Sequence, residues 1–360
     1  MERFVCGTKI ISGAGAVESL GALGAKRVLV VTDPFFYENG TAAQVGKLTG
    51  AEAVEIFHQV APDPGLELAA AGTAMVRSFD PDLIVALGGG SAMDCAKAMK
   101  CFSGSKAVFA AIPTTSGSGS EVTDFAILTH DGVKHPLVDE SIRPDVAILD
   151  GKFLEKLPKG LIADSGFDVL AHALEALAAT GAGAITDALA RDAFCTAFEK
   201  LLRSYNGDTA VRQEVHMAAT MAGMAFTQAG LGLCHALAHA LGGAFHVPHG
   251  RLNAILLPAV LECNAPAVGH KYAALARAAG LGGSVDTIAL RNLKNGLVRL
   301  RWELDLPETL AQAGVKPMEL RHKQDAIVAA TLADPCCKTN PVTVNAALVR
   351  QVLDTVAGHG

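Results

Sequence analysis

Four histidines fall in one short apolar stretch, LCHALAHALGGAFHVPHG (residues 233–250): His235, His239, His246 and His249. No charged side chain separates them. A buried imidazole costs free energy unless its ring nitrogens find partners. His235 and His239 are spaced i, i+4 and share one helical face. FDVLAH (167–172) repeats that spacing with Asp168 and His172 on another apolar helix. A carboxylate among Phe167, Val169 and Leu170 is costly alone, and a divalent cation offsets the cost. One aspartate with several imidazoles is a mixed N/O donor set that suits Fe(II), Zn or Mn rather than Ca or Mg. Spacing alone leaves open which three or four of these residues bind. His249 follows Pro248 at a helix exit, where a loop can bend back over the site. His58, His130, His135, His216, His270, His322 and His359 read as ordinary core or surface groups.

A second kind of chemistry is carried by glycines. GGGS (88–91) follows an apolar strand and opens a helix. Glycines let a ligand approach the backbone, and a helix N-terminus presents unpaired N–H groups and partial positive charge. Together these suit a phosphate. TTSGSGSE (114–121) also follows a strand, and two such turns at neighbouring strand ends suit a diphosphate-bearing cofactor. The usual GxGxxG is absent; GAGAV (13–17) and GSGSEV (117–122) lack its last glycine. Asp33, ending the first strong strand, is placed to accept from a ribose diol and repel a 2′-phosphate, which favours NAD over NADP. The alternative is a turn-forming aspartate before Pro34.

The elements that must hold these groups change character along the chain. KRVLVVTD (26–33), PDLIVALGGGS (81–91), AVFAAIPTT (107–115) and DVAILD (145–150) read as buried strands. LELAAAGTAMVRSF (66–79) and SAMDCAKAMKCF (91–102) read as helices between them. Such alternation predicts a mostly parallel sheet covered on both faces. Near Pro158 the spacing becomes helical almost throughout: 161–180, 184–205, 211–230, 271–281 and 344–358. The expected organisation is an α/β dinucleotide-binding domain over 1–158 and an all-α metal-binding domain over 159–360, closely packed with a cleft between them.

Composition narrows the function. The 360 residues exceed the needs of one ordinary core. A net charge of −6 provides no footprint for nucleic acid, and no basic helix suggests a membrane surface. MERFVCGTKI lacks the succession of a signal peptide, and no apolar run looks long and continuous enough to span a bilayer. A soluble cytoplasmic protein is expected. The eight cysteines fit no disulfide framework or zinc knuckle and read mostly as reduced, buried apolar groups. The adjacent pair Cys336–Cys337 is the one candidate among them for a metal or redox role.

GGGSAMDCAK, IPTTSGSGSEVT, GFDVLAHALEA and HALAHALGGAFHVPHG, in that order, resemble the iron-containing (group III) alcohol dehydrogenases. The resemblance runs from about residue 3 to the C-terminal helix. It implies a dehydroquinate synthase-like architecture, NAD(H) as cofactor and a catalytic iron, in some members zinc, held by Asp168, His172, His235 and His249. It implies a proton-transfer role near the nicotinamide for His239, while His246 matches no ligand and is placed just outside the cluster. It carries the cofactor site over to Asp33, Gly89, Gly90, Ser91, Asp94, Thr114, Thr115 and Ser118. A homodimer is also implied. KHPLVDESIRPDVAILD and KTNPVTVNA are similar to propanol dehydrogenases of bacterial microcompartments. Two departures stand out: Val342 replaces the arginine that often follows the late Asn-Pro, and SGFDVLAH replaces TGMDALTH.

The expected reaction is reversible oxidation of a short primary alcohol to its aldehyde, with the metal as Lewis acid and His239 taking the proton. A lyase of the dehydroquinate synthase type would need several basic groups for its charged substrate, and the 235–249 stretch has none before Arg251. A polyol dehydrogenase is an alternative, as is a hydroxyacid dehydrogenase if Lys134 or Arg251 reaches the pocket. A non-catalytic, microcompartment-associated protein is the remaining rival.

Overall fold

The structure is a computed structural model that describes residues 4–130 and 133–358, so His359 lies outside the described residues. It forms two compact units, dividing between Leu157 and Pro158, with Phe4 grouped with the second.

The first unit contains strands β1 (Lys9–Ser12), β2 (Arg27–Thr32), β3 (Ala53–Phe57), β4 (Leu83–Gly88), β5 (Val108–Pro113), β6 (Phe125–His130), β7 (Val133–Val138) and β8 (Val146–Leu149). Its helices are α1 (Pro34–Glu38), α2 (Thr41–Leu48), α3 (Leu66–Phe79) and α4 (Gly90–Ser103). Six strands make one parallel sheet in the order β1-β8-β5-β4-β2-β3. Its inner strands are unbroken apolar runs because both faces are covered. Alternation along them feeds two separate cores. Leu29, Val31, Ile84, Ala86 and Phe109 join Val76, Phe79, Met93 and Met99 on one side. Val28, Val30, Leu83, Val85 and Ile112 join Val17, Leu20 and Val45 on the other. The edge strands β1 and β3 are half exposed and carry no such signature. An antiparallel hairpin, β6–β7, stands apart from the sheet and also lacks one.

The second unit contains α5 (Lys159–Ala178), α6 (Ala184–Tyr205), α7 (Arg212–Ala229), α8 (Leu233–Phe245), α9 (His249–Ala278), α10 (Asp286–Glu303), α11 (Pro317–Ala333) and α12 (Ala346–Val356). Helix α5 packs against α6, α7 and α9 and is buried nearly all round from Ile162. A helix in that place must be largely apolar all round; Ala, Leu, Val and Phe supply most of it, and Asp164, Asp168, His172 and Glu175 are buried among them. Two sequence expectations need adjustment. The thirty-residue α9 is long and apolar enough by composition to cross a membrane, yet 67% of its apolar window is buried in the fold, as in a core helix. Of the cysteines, Cys95 and Cys234 are fully buried, Cys6 is exposed and the other five are half-buried, all as free thiols.

Candidate active site

The three cofactor turns follow β2, β4 and β5, adjacent parallel strands, so they meet at one carboxyl edge. Asp33 caps α1, its Oδ1 accepting from Phe36 N at 3.1 Å. That is the turn role weighed from sequence. Its Oδ2 nevertheless faces the glycine turn, 3.7 Å from where a Cβ on Gly88 would lie. A Cβ on Gly89 would lie 3.2 Å from Thr115 Oγ1, and one on Gly90 would lie 3.3 Å from Ser118 Oγ. Thr114 N donates to Gly88 O at 2.9 Å. Gly89 caps α4 without a side-chain bond, and Ser91 lies in the first turn of that helix. Asp94 has internal partners: Oδ1 accepts from Ser120 Oγ (3.1 Å) and Oδ2 from Ile127 N (3.2 Å). Lys97, which sequence reading missed, is fully buried; its Nζ donates to Ser120 Oγ, Thr123 Oγ1 and Phe125 O at 2.7–2.9 Å. Asp94 and Lys97 thus tie α4 to the second turn. Their i, i+3 spacing on one face was the available signal.

In the helical unit, Asp168 and His172 project from α5, His235 and His239 from α8, and His249 from the start of α9. The approach of α9 to α5 depends on Gly250, because a Cβ there would lie 1.9 Å from Asp164 O. Asp168 Oδ1 lies 3.5 Å from His249 Nε2, 3.7 Å from His235 Nε2 and 3.8 Å from His172 Nε2. These separations are too long for hydrogen bonds. Ligands bound tetrahedrally at about 2.1 Å stand about 3.4 Å apart, so each imidazole nitrogen lies from Asp168 Oδ1 at close to the separation of two ligands on one ion. Asp168, His235 and His249 bring donor atoms within 4.8 Å of one another; His172, the fourth expected ligand, lies near Asp168 but outside that group of three. The His172 ring stacks on His235 and on Phe226, each at 4.4 Å between centroids. The donor set therefore fits a borderline divalent ion.

Electrostatics agree with the geometry. Burial would raise the Asp168 pKa, but the charges of His172, His249 and His235 outweigh it and hold the carboxyl well below its usual range. Burial would lower His235, yet Asp168 and Glu175 push it up to about 9. His249 and His239 keep 30% and 22% of their side chains exposed, against 1% for His235, so the accessible side of the cluster is theirs. Their rings stack with centroids 5.2 Å apart. His246 stands apart in role: it is exposed and ends α8 in the left-handed conformation, φ 56°.

Four polar residues support the cluster and were missed from sequence. Glu175 Oε2 is 2.6 Å from His235 Nδ1, and its carboxylate also accepts from the N–H groups of Gly232, Cys234 and His235. A buried carboxylate at the N-terminus of α8 meets both orphan donors and helix dipole. Asn253 Nδ2 donates to Asp168 Oδ1 at 2.8 Å and lies 3.4 and 3.3 Å from His235 and His249 Nε2. Asp334 Oδ2 is 2.8 Å from His239 Nδ1. Asn340 Oδ1 accepts from Leu233 N, again at the start of α8, and Asn340 pairs with Asn264. Glu175 lies seven residues after Asp168 and three after His172, on the same helical stripe, and that spacing could have found it. Burial pushes the neighbouring thiols up, Cys337 to about 12 and Cys336 well above its ordinary value.

A parallel-sheet unit with phosphate-type turns, together with a helical unit bearing a buried Asp–His cluster, defines a metal-dependent, nucleotide-linked oxidoreductase. Residues 7–151 match the iron-containing alcohol dehydrogenase family, and residues 162–357 match the C-terminal part of the Fe-containing alcohol dehydrogenase family. The chain belongs to the iron-containing alcohol dehydrogenase family and is an alcohol dehydrogenase of that type. It is 37% identical to the 1-propanol dehydrogenase PduQ of Salmonella typhimurium, over 98% of this chain and 99% of the relative. It is 36% identical to the NADPH-dependent butanol dehydrogenase of Clostridium saccharobutylicum, over 99% and 98%. Among solved structures it is similar to the iron-containing alcohol dehydrogenase of Thermococcus thioreducens (TM-score 0.91, 33% identity, covering 98% of this chain and 99% of that one). It is also similar to a 1,3-propanediol oxidoreductase (TM-score 0.93, 29% identity, 99% and 100%).

Proposed function

We propose that the protein interconverts a short primary alcohol and its aldehyde with NAD(H), using Fe(II), with Zn as the other ion its donors accept. The carrying observation is the convergence of three imidazole Nε2 atoms on Asp168 Oδ1 at 3.5–3.8 Å. Asp168, His172, His235 and His249 would hold the ion. When bound, it supplies Lewis acidity at the substrate oxygen, so that the hydroxyl proton leaves near neutral pH. His239, beside His249 on the accessible side, is placed to take that proton, and a bound nicotinamide would supply the hydride acceptor. The N-terminus of α4 and the Thr114–Ser118 turn bind the cofactor diphosphate, with Gly89, Gly90, Ser91, Thr115 and Ser118 lining it. Asp94 holds that turn in place through Ser120. Asp33 accepts from the adenosine ribose, which supports NAD here although one relative is named for NADPH.

An uncharged substrate suits the site. Arg251 is held by Asp164 in a two-point pair, 3.1 and 3.0 Å, and Lys134 is paired with Asp63 at 2.8 Å. The two cations that a hydroxyacid substrate would use therefore already have carboxylate partners. The propanol dehydrogenase resemblance supports a setting in the cytoplasm or a bacterial microcompartment.

The test is NADH formation across a panel of alcohols after iron loading, with metal content measured in parallel. The double variant His235→Ala, His249→Ala is expected to lose both metal and turnover. If it keeps both, the ligand assignment fails.

A further inference from the structure

We propose that Asp334 is a positioning residue for the reaction: it holds His239 as the Nδ1–H tautomer, so that Nε2 keeps a lone pair for the substrate proton. The inference rests on the role given to His239 above. Asp334 follows α11, and its two carboxylate oxygens do different work. Oδ1 accepts from Cys336 N at 2.8 Å and caps the short Pro335–Thr339 turn of helix. Oδ2 lies 2.8 Å from His239 Nδ1. An ionised carboxylate can only accept, so the shared hydrogen belongs to Nδ1. Burial would raise the Asp334 pKa, but the hydrogen bonds from His239 and from Cys336 N–H oppose it, and the group lies below the usual carboxylate range. The neutral ring then has its acceptor at Nε2.

The surrounding chain fixes the pair on both sides. His239 stacks on His249 at 15° between ring planes. The segment after Asp334 is tied to α8 through Thr339 Oγ1 to Leu231 O (2.7 Å) and through Asn340 to Leu233 N (3.1 Å). Asp334 thus approaches His239 from a segment locked to the same helix. His239, Asp334 and Cys336 also bring nitrogen, oxygen and sulfur donors within 4.8 Å of one another. The carboxylate is nonetheless committed to an imidazole and a backbone N–H, and its surroundings push the half-buried Cys336 thiol well above its ordinary range, away from the thiolate a cation would need. A hydrogen-bonded pair accounts for this group better than a second cation. In alcohol oxidation the O–H proton moves to Nε2, the Nδ1 proton stays in its bond to Asp334, and the C–H hydride leaves for the nicotinamide. Asp334 gives up nothing and stabilises the imidazolium.

The experiment compares Asp334→Ala, Asp334→Asn and His239→Ala in the iron-loaded enzyme, with kcat, KM, metal content and thermal midpoint measured for each. The amide introduced by Asp334→Asn would serve His239 or Cys336 N but not both. Both Asp334 variants should keep their metal and lose about 10²–10³-fold in kcat with little change in KM. In the His239→Ala background Asp334→Ala should cost no further rate. Nitrogen-15 spectra of histidine-labelled, metal-free protein supply a readout independent of turnover: the His239 signal should be Nδ1–H in the parent and lose that fixed tautomer in Asp334→Ala. A kcat within about threefold of the parent in a metal-retaining Asp334→Ala enzyme overturns the inference. So does an undiminished loss on top of His239→Ala. If the parent oxidises no alcohol, or His239→Ala keeps full rate, the functional reading fails instead.

Discussion

Glu175 illustrates how one residue can serve two structures. Its carboxylate closes the N-terminus of α8 and fixes His235 through Nδ1, leaving Nε2 directed toward Asp168. Glu175→Gln keeps the shape but brings a donor where only acceptors fit. Metal affinity should fall about 10–100-fold, the usual effect of losing such a partner. Competition against a chelator measures it, and an unchanged affinity removes Glu175 from this role. Asp33→Gly makes a separate case. Removing the carboxylate beside Gly88 should raise the NADP/NAD ratio of kcat/KM, and an unmoved ratio would return Asp33 to helix capping alone. The ligand candidates were visible in the sequence because i, i+4 spacing within apolar text is itself anomalous. Asp334 and Asn340 were not visible. Each is an ordinary polar residue whose meaning comes from a partner 95 or 107 positions away.

At the scale of elements, legibility followed burial. Strands β2, β4, β5 and β8 are covered on both faces and read as apolar runs, and α3 and α6 have the bounds that their periodicity suggests. The edge strands and the β6–β7 hairpin carry mixed side chains, so pattern alone could not separate them from loops. The crossing of α9 over α5 is closest at a glycine, Gly250. Gly250→Ala would put a methyl 1.9 Å from Asp164 O, so the helices must part. Overpacking of this kind costs about 1–3 kcal/mol. Because His249 precedes Gly250 and Asp168 lies one turn beyond Asp164, the same displacement should separate two of the proposed ligands. Gly250→Ala is therefore expected to lower both the thermal midpoint and the metal stoichiometry. A variant that loses stability yet binds a full equivalent of metal would show that the helix crossing does not set the site.

For the molecule as a whole, the two units carry different ligands by this reading, and their stabilities should respond to different additions. Burying Asp168 and Glu175 against three imidazoles is expensive unless an ion neutralises the cluster. An ion that binds only the folded state adds RT ln(1 + [L]/Kd), about 2.7 kcal/mol at a hundredfold excess over Kd. For a unit of roughly 200 residues that corresponds to a rise of about 5–11 °C in midpoint. Chelator-treated protein titrated with Fe(II) under anaerobic conditions should show this rise in the transition of the helical unit. Asp168→Ala should abolish it, since the remaining imidazoles lose the anion on which they converge. A midpoint indifferent to metal in the parent protein would mean that the buried aspartate is stabilised by its histidines without an ion, and the case for a metal centre would then lose its energetic basis.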